Sequence, residues 1–505
     1  MMEPSEHCRS SFSRLANFDI LTYILKRVPQ RKDVLSFMYT CTIAYAAGIP
    51  ILLGFPCHID LVNMRIFHTF LVSRAPASFL ALRDISFSNS LSEKLQRFEI
   101  EIVKDILRKA TNLRALGLYR DILGQADEIP RLVASLTALR SFTVSDNPDE
   151  NIAFVLSHLR APLKRVHVSF FKEREVLSLL AEFWNTLESV AVTAAGFAST
   201  TSCYHNLTSL TISYYSQIRL SVLVPAMPNL QRLDVGCLNP HASAREGELV
   251  RQENFLFQQA RTSPVWNLAF LSADAPALSI LGLQFKVPCV EITRLGSLIW
   301  RDAAWWRRTM APLRPTQLIL SGEFPFEPGG LSRILCEGMQ DLKYLQLNAT
   351  FLLDGLRHRS SLVGTIVQYP DMRSKWLYVL QELMINDLAP LAEFTHGISN
   401  LSFNFNMERD LGRLPLIFRL ATRHFLETTD TRPFARQAVE VVPSIEAVNF
   451  RIKVFDTVRQ EHWLSDGKGG VIEDSTRYYT GVKELEDKCG LMNPDCKSQS
   501  TVAVL

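Results

Sequence analysis

A six-residue pattern, L-x-x-L-x-[L/V/I], returns along most of this chain at a near-constant interval. It stands at 113–118 (LRALGL), 139–144 (LRSFTV), 163–168 (LKRVHV), 187–192 (LESVAV), 207–212 (LTSLTI) and 230–235 (LQRLDV). It returns at 278–283 (LSILGL), 342–347 (LKYLQL), 380–385 (LQELMI) and 445–450 (IEAVNF), and LRDISF at 82–87 matches as a first copy. From Leu113 the copies begin 26, 24, 24, 20 and 23 residues apart, and the next gap, 48, is about two periods. Self-similarity at such a period restricts the architecture more than composition can.

Apolar residues at the fourth and sixth positions describe a short strand with one buried face. Helical spacing fills the intervals: Ile152, Val155, Leu156 and Leu159 form one stripe, and Val176, Leu180, Phe183 and Trp184 another. The segment at 330–339 repeats this with Leu331, Ile334 and Leu335. Strand, helix and strand at this period imply parallel strands joined by right-handed crossovers. Stacked in a line, such units form a solenoid. Strands are expected near 114–119, 140–145, 164–169, 188–193, 208–213 and 231–236.

The L-x-x-L-x-L core and its period resemble leucine-rich repeats, and the copy LRSFTVSDN also carries that family's Asn, Asn147. Most other copies lack it, so the repeats are similar to the irregular, helix-rich type. The resemblance covers roughly residues 80–455. It implies an α/β solenoid with parallel strands on a concave face and helices on a convex face. The segments 241–275 and 284–315 do not follow the template. The second holds Trp300, Trp305 and Trp306 with Arg301, Arg307 and Arg308, read as a helix whose tryptophans pack and whose arginines stay wet rather than as a nucleic-acid platform.

Residues 15–53 read differently, as two helices at about 18–28 and 33–46 with a break at VPQRKD. Ile20, Ile24 and Val28 share a stripe with Leu21 and Leu25; Asp33 is a candidate cap for the second helix, where Val34, Phe37, Met38 and Cys41 continue the apolar face. A module of this size buries too little surface to stand alone. It resembles an F-box: Leu15, Asp19-Ile20-Leu21, Ile24, Leu25, Val28, Asp33-Val34 and Cys41 fit the family's pattern, while Ala16, Thr42 and Ala44 replace its Pro, basic residue and Trp. The resemblance implies docking on the Skp-type adaptor of a cullin–RING ubiquitin ligase, through Ile20, Leu21, Ile24, Val34 and Leu35. The alternative is a plain N-terminal cap for the repeats.

The division expected is a disordered tail at 1–14, an F-box-like module at 15–60, an irregular solenoid at 61–455, a C-terminal hairpin and extension at 456–487 and a disordered tail at 488–505. Gly467-Lys468-Gly469-Gly470 reads as the hairpin turn and not as a phosphate loop. Lys and Arg number 54 against 51 Asp and Glu, a net charge of +3, which argues against a nucleic-acid binder. Nine cysteines, without a CxxC pair, argue against a disulfide framework or zinc site and for reduced thiols in the cytoplasm or nucleus. Val34–Ile59 has no charge and is long enough to span a bilayer, but Gly48, Pro50, Gly54 and Pro56 interrupt it. It is expected to be a buried helix that stops near Gly48, with no membrane span.

There is no G-x-S-x-G elbow, HExxH, P-loop or kinase signature, and the histidines share no motif with a nucleophile. No catalytic residue, cofactor or metal is expected. The family resemblance implies a non-enzymatic substrate receptor of an SCF-type ligase. Its module docks the adaptor while its repeats hold a target protein, whose identity the sequence does not give, and it is a monomer outside that complex. The alternatives are a repeat scaffold with no ligase role and an unrecognised enzyme. The third, fifth and seventh positions of each copy point away from the core. Most are small or polar; Tyr119, Arg165, His167, Arg232, Asp234 and Tyr344 stand out as candidate target contacts, since Tyr and Arg dominate protein interfaces.

Overall fold

A computed structural model describes residues 18–473 apart from 29, 89–94, 120, 199–201, 216, 237–243, 262–264, 296–302, 324–338, 351–397, 408–429 and 455–456. The copy at 380–385, the helical pattern at 330–339, the residues Trp300 and Arg301 and the two expected disordered tails lie outside the described residues. The chain is α/β and divides into two compact units, one of residues 1–215 with 225–229, the other of 216–224 with 230–505.

The first unit opens with three helices, Phe18–Leu25, Arg31–Met38 and Thr42–Leu52. The second and third replace the single helix expected at 33–46. The break falls at Tyr39–Cys41: Cys41 is extended (φ −163°, ψ 164°), and its sulfur accepts the Ala44 amide at 3.3 Å as a helix cap. Asp33 is not the cap of the preceding helix, a place held by Gln30; it lies in the first turn, where a negative charge meets the positive helix end. The third helix runs through Gly48 and Pro50 to Leu52. Gly48 does not stop it. A Cβ there would meet Met38 Cγ at 2.2 Å, so the glycine lets two helices pack closely. No helix among the described residues is long and apolar enough to cross a membrane.

Seven strands follow: β1 (Cys57–Asp60), β2 (Asp84–Ser88), β3 (Ala115–Tyr119), β4 (Ser141–Ser145), β5 (Arg165–Glu175), β6 (Ser189–Gly196) and β7 (Ser209–Tyr215). Each of β1 to β6 pairs in parallel with its successor. The strand array therefore begins at Cys57, inside the segment read as helical and one strand before LRDISF. Between strands run Leu61–Val72, Arg97–Lys109, Glu128–Ala134 and Asp149–His158, each packed beside a neighbouring helix. Ile85, Phe87, Leu116, Leu118, Phe142, Val144, Val166 and Val168 bury one strand face; Ile102, Val103, Ile106, Ile152, Val155 and Leu156 bury the helical stripe. At full burial each such side chain contributes roughly 1.5–3 kcal/mol. Asp146 turns the chain out of β4 at a left-handed φ of 55°, and Ala194 and Tyr214 hold left-handed φ of 56° and 54° near the ends of β6 and β7.

The second unit repeats the plan. Its strands are β8 (Arg232–Val235), β9 (Phe270–Asp274), β10 (Cys289–Leu295), β11 (Gln317–Glu323), β12 (Tyr344–Thr350), β13 (Asn400–Met407) and β14 (Ala447–Val454), parallel and paired in sequence order. The antiparallel strands β15 (Thr457–Ser465) and β16 (Val471–Glu473) then close the row. The hairpin between them matches the glycine reading: Asp466 Oδ1 accepts the Lys468 and Gly470 amides, both at 2.8 Å, and Gly467 and Gly469 have positive φ. The copy at 278–283 is not a strand. It lies in and just after the helix Ala275–Leu281, capped by Asp274 and ended by left-handed Gly282. The segments that broke the template hold the helices Ala244–Gln259 and Ala303–Met310 and the strands β9 and β10. Trp306 is buried edge-on to Trp305, at 5.0 Å between ring centroids, while Arg307 and Arg308 are exposed.

Candidate functional site

Two surfaces of the first unit carry residues singled out by the sequence. On the helical module Leu25, Val34, Met38, Ala44 and Ala47 are buried and hold the three helices together. Ile20 and Ile24, one turn apart, are 57% and 44% exposed, with Tyr23 between them at 58%. Arg27 stacks its guanidinium over Tyr23 at 4.6 Å. Leu21 and Leu35 are half-buried, and Val34 is wholly buried. Val34 is thus a core residue and cannot be a docking contact as expected.

The other surface is the outward face of the strands. The register of β2 to β7 lines its side chains into rows. One row runs Asp84, Ala115, Ser141, Arg165, Ser189, Ser209; the next runs Ser86, Gly117, Thr143, His167, Ala191, Thr211. His58 on β1 extends the second row, its Nδ1 at 2.5 Å from Ser86 Oγ. A Cβ at Gly117 would come within 2.9 Å of Ser86 Cβ and 3.1 Å of Tyr119 Cε2; the Tyr119 ring therefore lies back over Gly117. Arg165 and His167 rise exposed from a floor of small residues. Burial raises the Asp84 carboxyl above its usual range, with His58 and Arg165 pulling it back. Partial desolvation lowers the His167 imidazole. Sequence reasoning missed His58 and Asp84: His58 lies on an unrecognised strand, and Asp84, at the third, outward position of LRDISF, stands out only once the register sets it in line with Arg165.

In the second unit Arg232 is not a free cation. Its Nε donates to Asp234 Oδ2 at 2.9 Å, and its guanidinium lies 4.2 Å from the Phe270 ring centre. The Asp234 hydrogen bond holds Arg232 still more firmly protonated. Tyr344 donates to Gln346 Oε1 at 2.9 Å, Gln346 to Asn348 Oδ1 at 2.8 Å and Asn348 to Ser321 Oγ at 2.9 Å. Asn404 donates to the same Asn348 oxygen at 2.8 Å. Tyr344 thus starts a bonded chain of amides along the outward face. The register brings Tyr119, Arg165 and His167 onto one face in the first unit, and Arg232, Asp234 and Tyr344 onto one face in the second.

Among the described residues no set of three His, Cys, Asp or Glu side chains is placed to hold a metal ion. Cys41, Cys57, Cys203 and Cys289 are free thiols, and burial raises Cys57 and Cys289, which favours their protonated form. No family model matches this chain, and a comparison with curated proteins finds no match.

Proposed function

We propose that this chain is a non-catalytic substrate receptor, in which the helices of 18–52 dock a Skp-type adaptor and the outward strand faces hold a target protein. The observation that carries the reading is the open apolar ridge of Ile20, Tyr23 and Ile24 on a module whose own core is already filled by Leu25, Val34 and Met38. An apolar ridge of this kind is costly to leave in water and marks an association site. Half-buried Leu21 and Leu35 flank it. The receptor does no bond chemistry; it raises the local concentration of target at another subunit's active site.

The test is co-purification with the adaptor. Ile24→Asp and Leu21→Asp should each abolish adaptor recovery, with Ile24→Asp leaving the melting temperature unchanged because its side chain is exposed. Recovery of adaptor by both variants sinks the ligase reading. The second reading is a repeat scaffold whose helices serve only as a cap; burial of all five docking residues against the first repeats would favour it, and of the five only Val34 is buried. That reading expects no adaptor with the wild-type chain, while target capture persists. For the target face, Arg165→Ala combined with Arg232→Ala should weaken capture by about 2 kcal/mol if both are hot spots and leave adaptor binding intact.

A further inference from the structure

The first unit carries a row of like charges that neither the adaptor surface nor the outward strand face uses. The residue just before each of four consecutive strands is basic: Arg83 before β2, Arg114 before β3, Arg140 before β4 and Lys164 before β5. Backbone hydrogen bonds hold them in one line. The Arg114 amide donates to the Arg83 carbonyl at 2.7 Å, Arg140 to Arg114 at 2.7 Å and Lys164 to Arg140 at 2.8 Å. Neighbouring strands lie about 4.8 Å apart, so four positive side chains start from a line about 14 Å long.

This line is poorly neutralised. Lys164 pairs with Glu188, the next residue in the row, at 2.5 Å. No described carboxylate forms an ion pair with Arg83, Arg114 or Arg140; among the described residues the Arg83 guanidinium donates to the Asn112 carbonyl, at 3.2 Å. Arg114 and Arg140 are exposed. Like charges directly opposite each other on adjacent strands are destabilising, and the fold gains nothing visible in return. In a chain with a net charge of only +3, the clustering is a local feature and not a general basic bias.

At the end of the row the same edge is recessed. The loops that lead into β5 and β6 enclose a cleft of about 580 Å³ lined by His158, Arg160, Pro162, Glu182 and Asn185, among others. Arg160 is exposed and adds a further cation beside Lys164. Positive potential along a line that ends in a recess suits an extended anionic chain better than a compact anion, which a single arginine pair would satisfy.

We propose that the strand-start edge of the first unit, Arg83–Arg114–Arg140–Lys164, binds an acidic segment of a partner polypeptide laid across the strands. The proposal rests on the reading of this chain as a receptor for a target protein, and it names the chemistry of one part of that target. Carboxylates of the segment supply the counter-charges that the row lacks. Because Arg114 and Arg140 are solvent-exposed, the contact is salt-sensitive and guides association more than it adds affinity.

The test uses the full chain and a fluorescein-labelled peptide of alternating glutamate and serine, read by fluorescence anisotropy. The wild-type chain should bind it, and raised salt should weaken the binding. Arg114→Gln with Arg140→Gln, which removes the charge but keeps a polar side chain, should weaken binding about tenfold, the sum expected of two exposed ion pairs. Arg114→Glu with Arg140→Glu should abolish it and admit the lysine–serine counterpart. No binding by the wild type, or equal binding by the Gln variant, overturns the proposal. So does single-stranded DNA that binds more tightly than the acidic peptide and is lost in the same variants. Adaptor capture by the same proteins separates the two readings. Adaptor captured but no acidic peptide bound removes only the basic row; peptide bound in a row-dependent way without adaptor capture removes only the ligase assignment.

Discussion

The side-chain oxygen of Asn147 accepts the backbone N–H of Leu123 at 2.7 Å, reaching back one repeat from a position that is wholly buried. Its amide nitrogen donates to the carbonyls of Ser145 at 2.6 Å and Leu118 at 3.2 Å. One side chain therefore satisfies three backbone groups where β3 and β4 give way to their loops. Asn147→Ala would leave these groups buried without partners, at about 1–3 kcal/mol for each. The expected outcome is a loss of about 3 kcal/mol or more in urea unfolding. Asn147→Asp should also destabilise, because the Ser145 and Leu118 carbonyls would then face an acceptor.

A second prediction concerns the close approach of two helices in the N-terminal module. Gly48→Ala places a methyl group 2.2 Å from Met38 Cγ and 2.4 Å from its sulfur. Overpacking of this kind costs roughly 1–3 kcal/mol. Met38→Ala alone opens a cavity and also destabilises. The combination should be more stable than the sum of the two losses implies, since the new methyl occupies part of the vacated space. Strict additivity in thermal melts would refute the packing role given to Gly48.

The repeat was legible in sequence because two constraints coincide in it: alternate residues face the core, and each strand must return at the same height. Strands expected at 114–119, 140–145 and 208–213 lie at 115–119, 141–145 and 209–215. The copy at 278–283 failed because Leu278 and Leu281 are also i and i+3 of a helix, so the motif has helical spacing inside it. The deciding signals lay outside the six residues. Asp274 caps the helix by accepting the Ala277 amide at 2.8 Å, Pro276 suits a first turn, and Gly282 ends it at φ 53°. Of the candidate site, the apolar stripe of Ile20 and Ile24 was legible, but which of its residues stay exposed and which, like Val34, are buried depends on how the three helices turn against each other. The basic row at the strand starts was visible only after the register was known, since Arg83, Arg114, Arg140 and Lys164 are scattered through 82 residues of sequence.

A third prediction lies in the closing strands of the second unit. Arg459 and Glu461 are 2% and 0% exposed on β15 and form an ion pair, with Arg459 Nε at 2.8 Å from Glu461 Oε1. Thr431 donates to the other Glu461 oxygen and accepts from Trp463 Nε1 at 2.9 Å. Glu461→Ala removes a buried counter-charge of Arg459 and should cost about 3–5 kcal/mol. Replacing both partners, Arg459→Met with Glu461→Leu, should recover most of that loss. A double variant as unstable as Glu461→Ala would show that Thr431 and Trp463, and not the ion pair, hold the cap in place.

The last prediction follows from Asp84, which stands at the edge of the small-residue floor opposite Arg165 with Ala115 and Ser141 between them. Burial raises its folded pKa above the unfolded carboxylate value, and the positive fields of His58 and Arg165 offset only part of that. A raised folded pKa means that the folded chain holds this proton more tightly than the unfolded chain. The stabilisation from that proton is complete below the ordinary carboxylate range, about pH 3.9, and is lost as pH rises through the raised folded value. At neutral pH Asp84 is therefore a net cost to the fold, so Asp84→Asn should unfold at higher urea than the wild type. The difference should shrink as pH falls through the raised value and vanish below the ordinary one, where both side chains are uncharged. Arg165→Gln should lower stability at neutral pH in the wild type and have little effect in the Asp84→Asn background, because the field it supplies then has no charge to act on. A stability gain in Asp84→Asn that is the same at every pH would trace the effect to packing and remove the electrostatic link between Asp84 and Arg165.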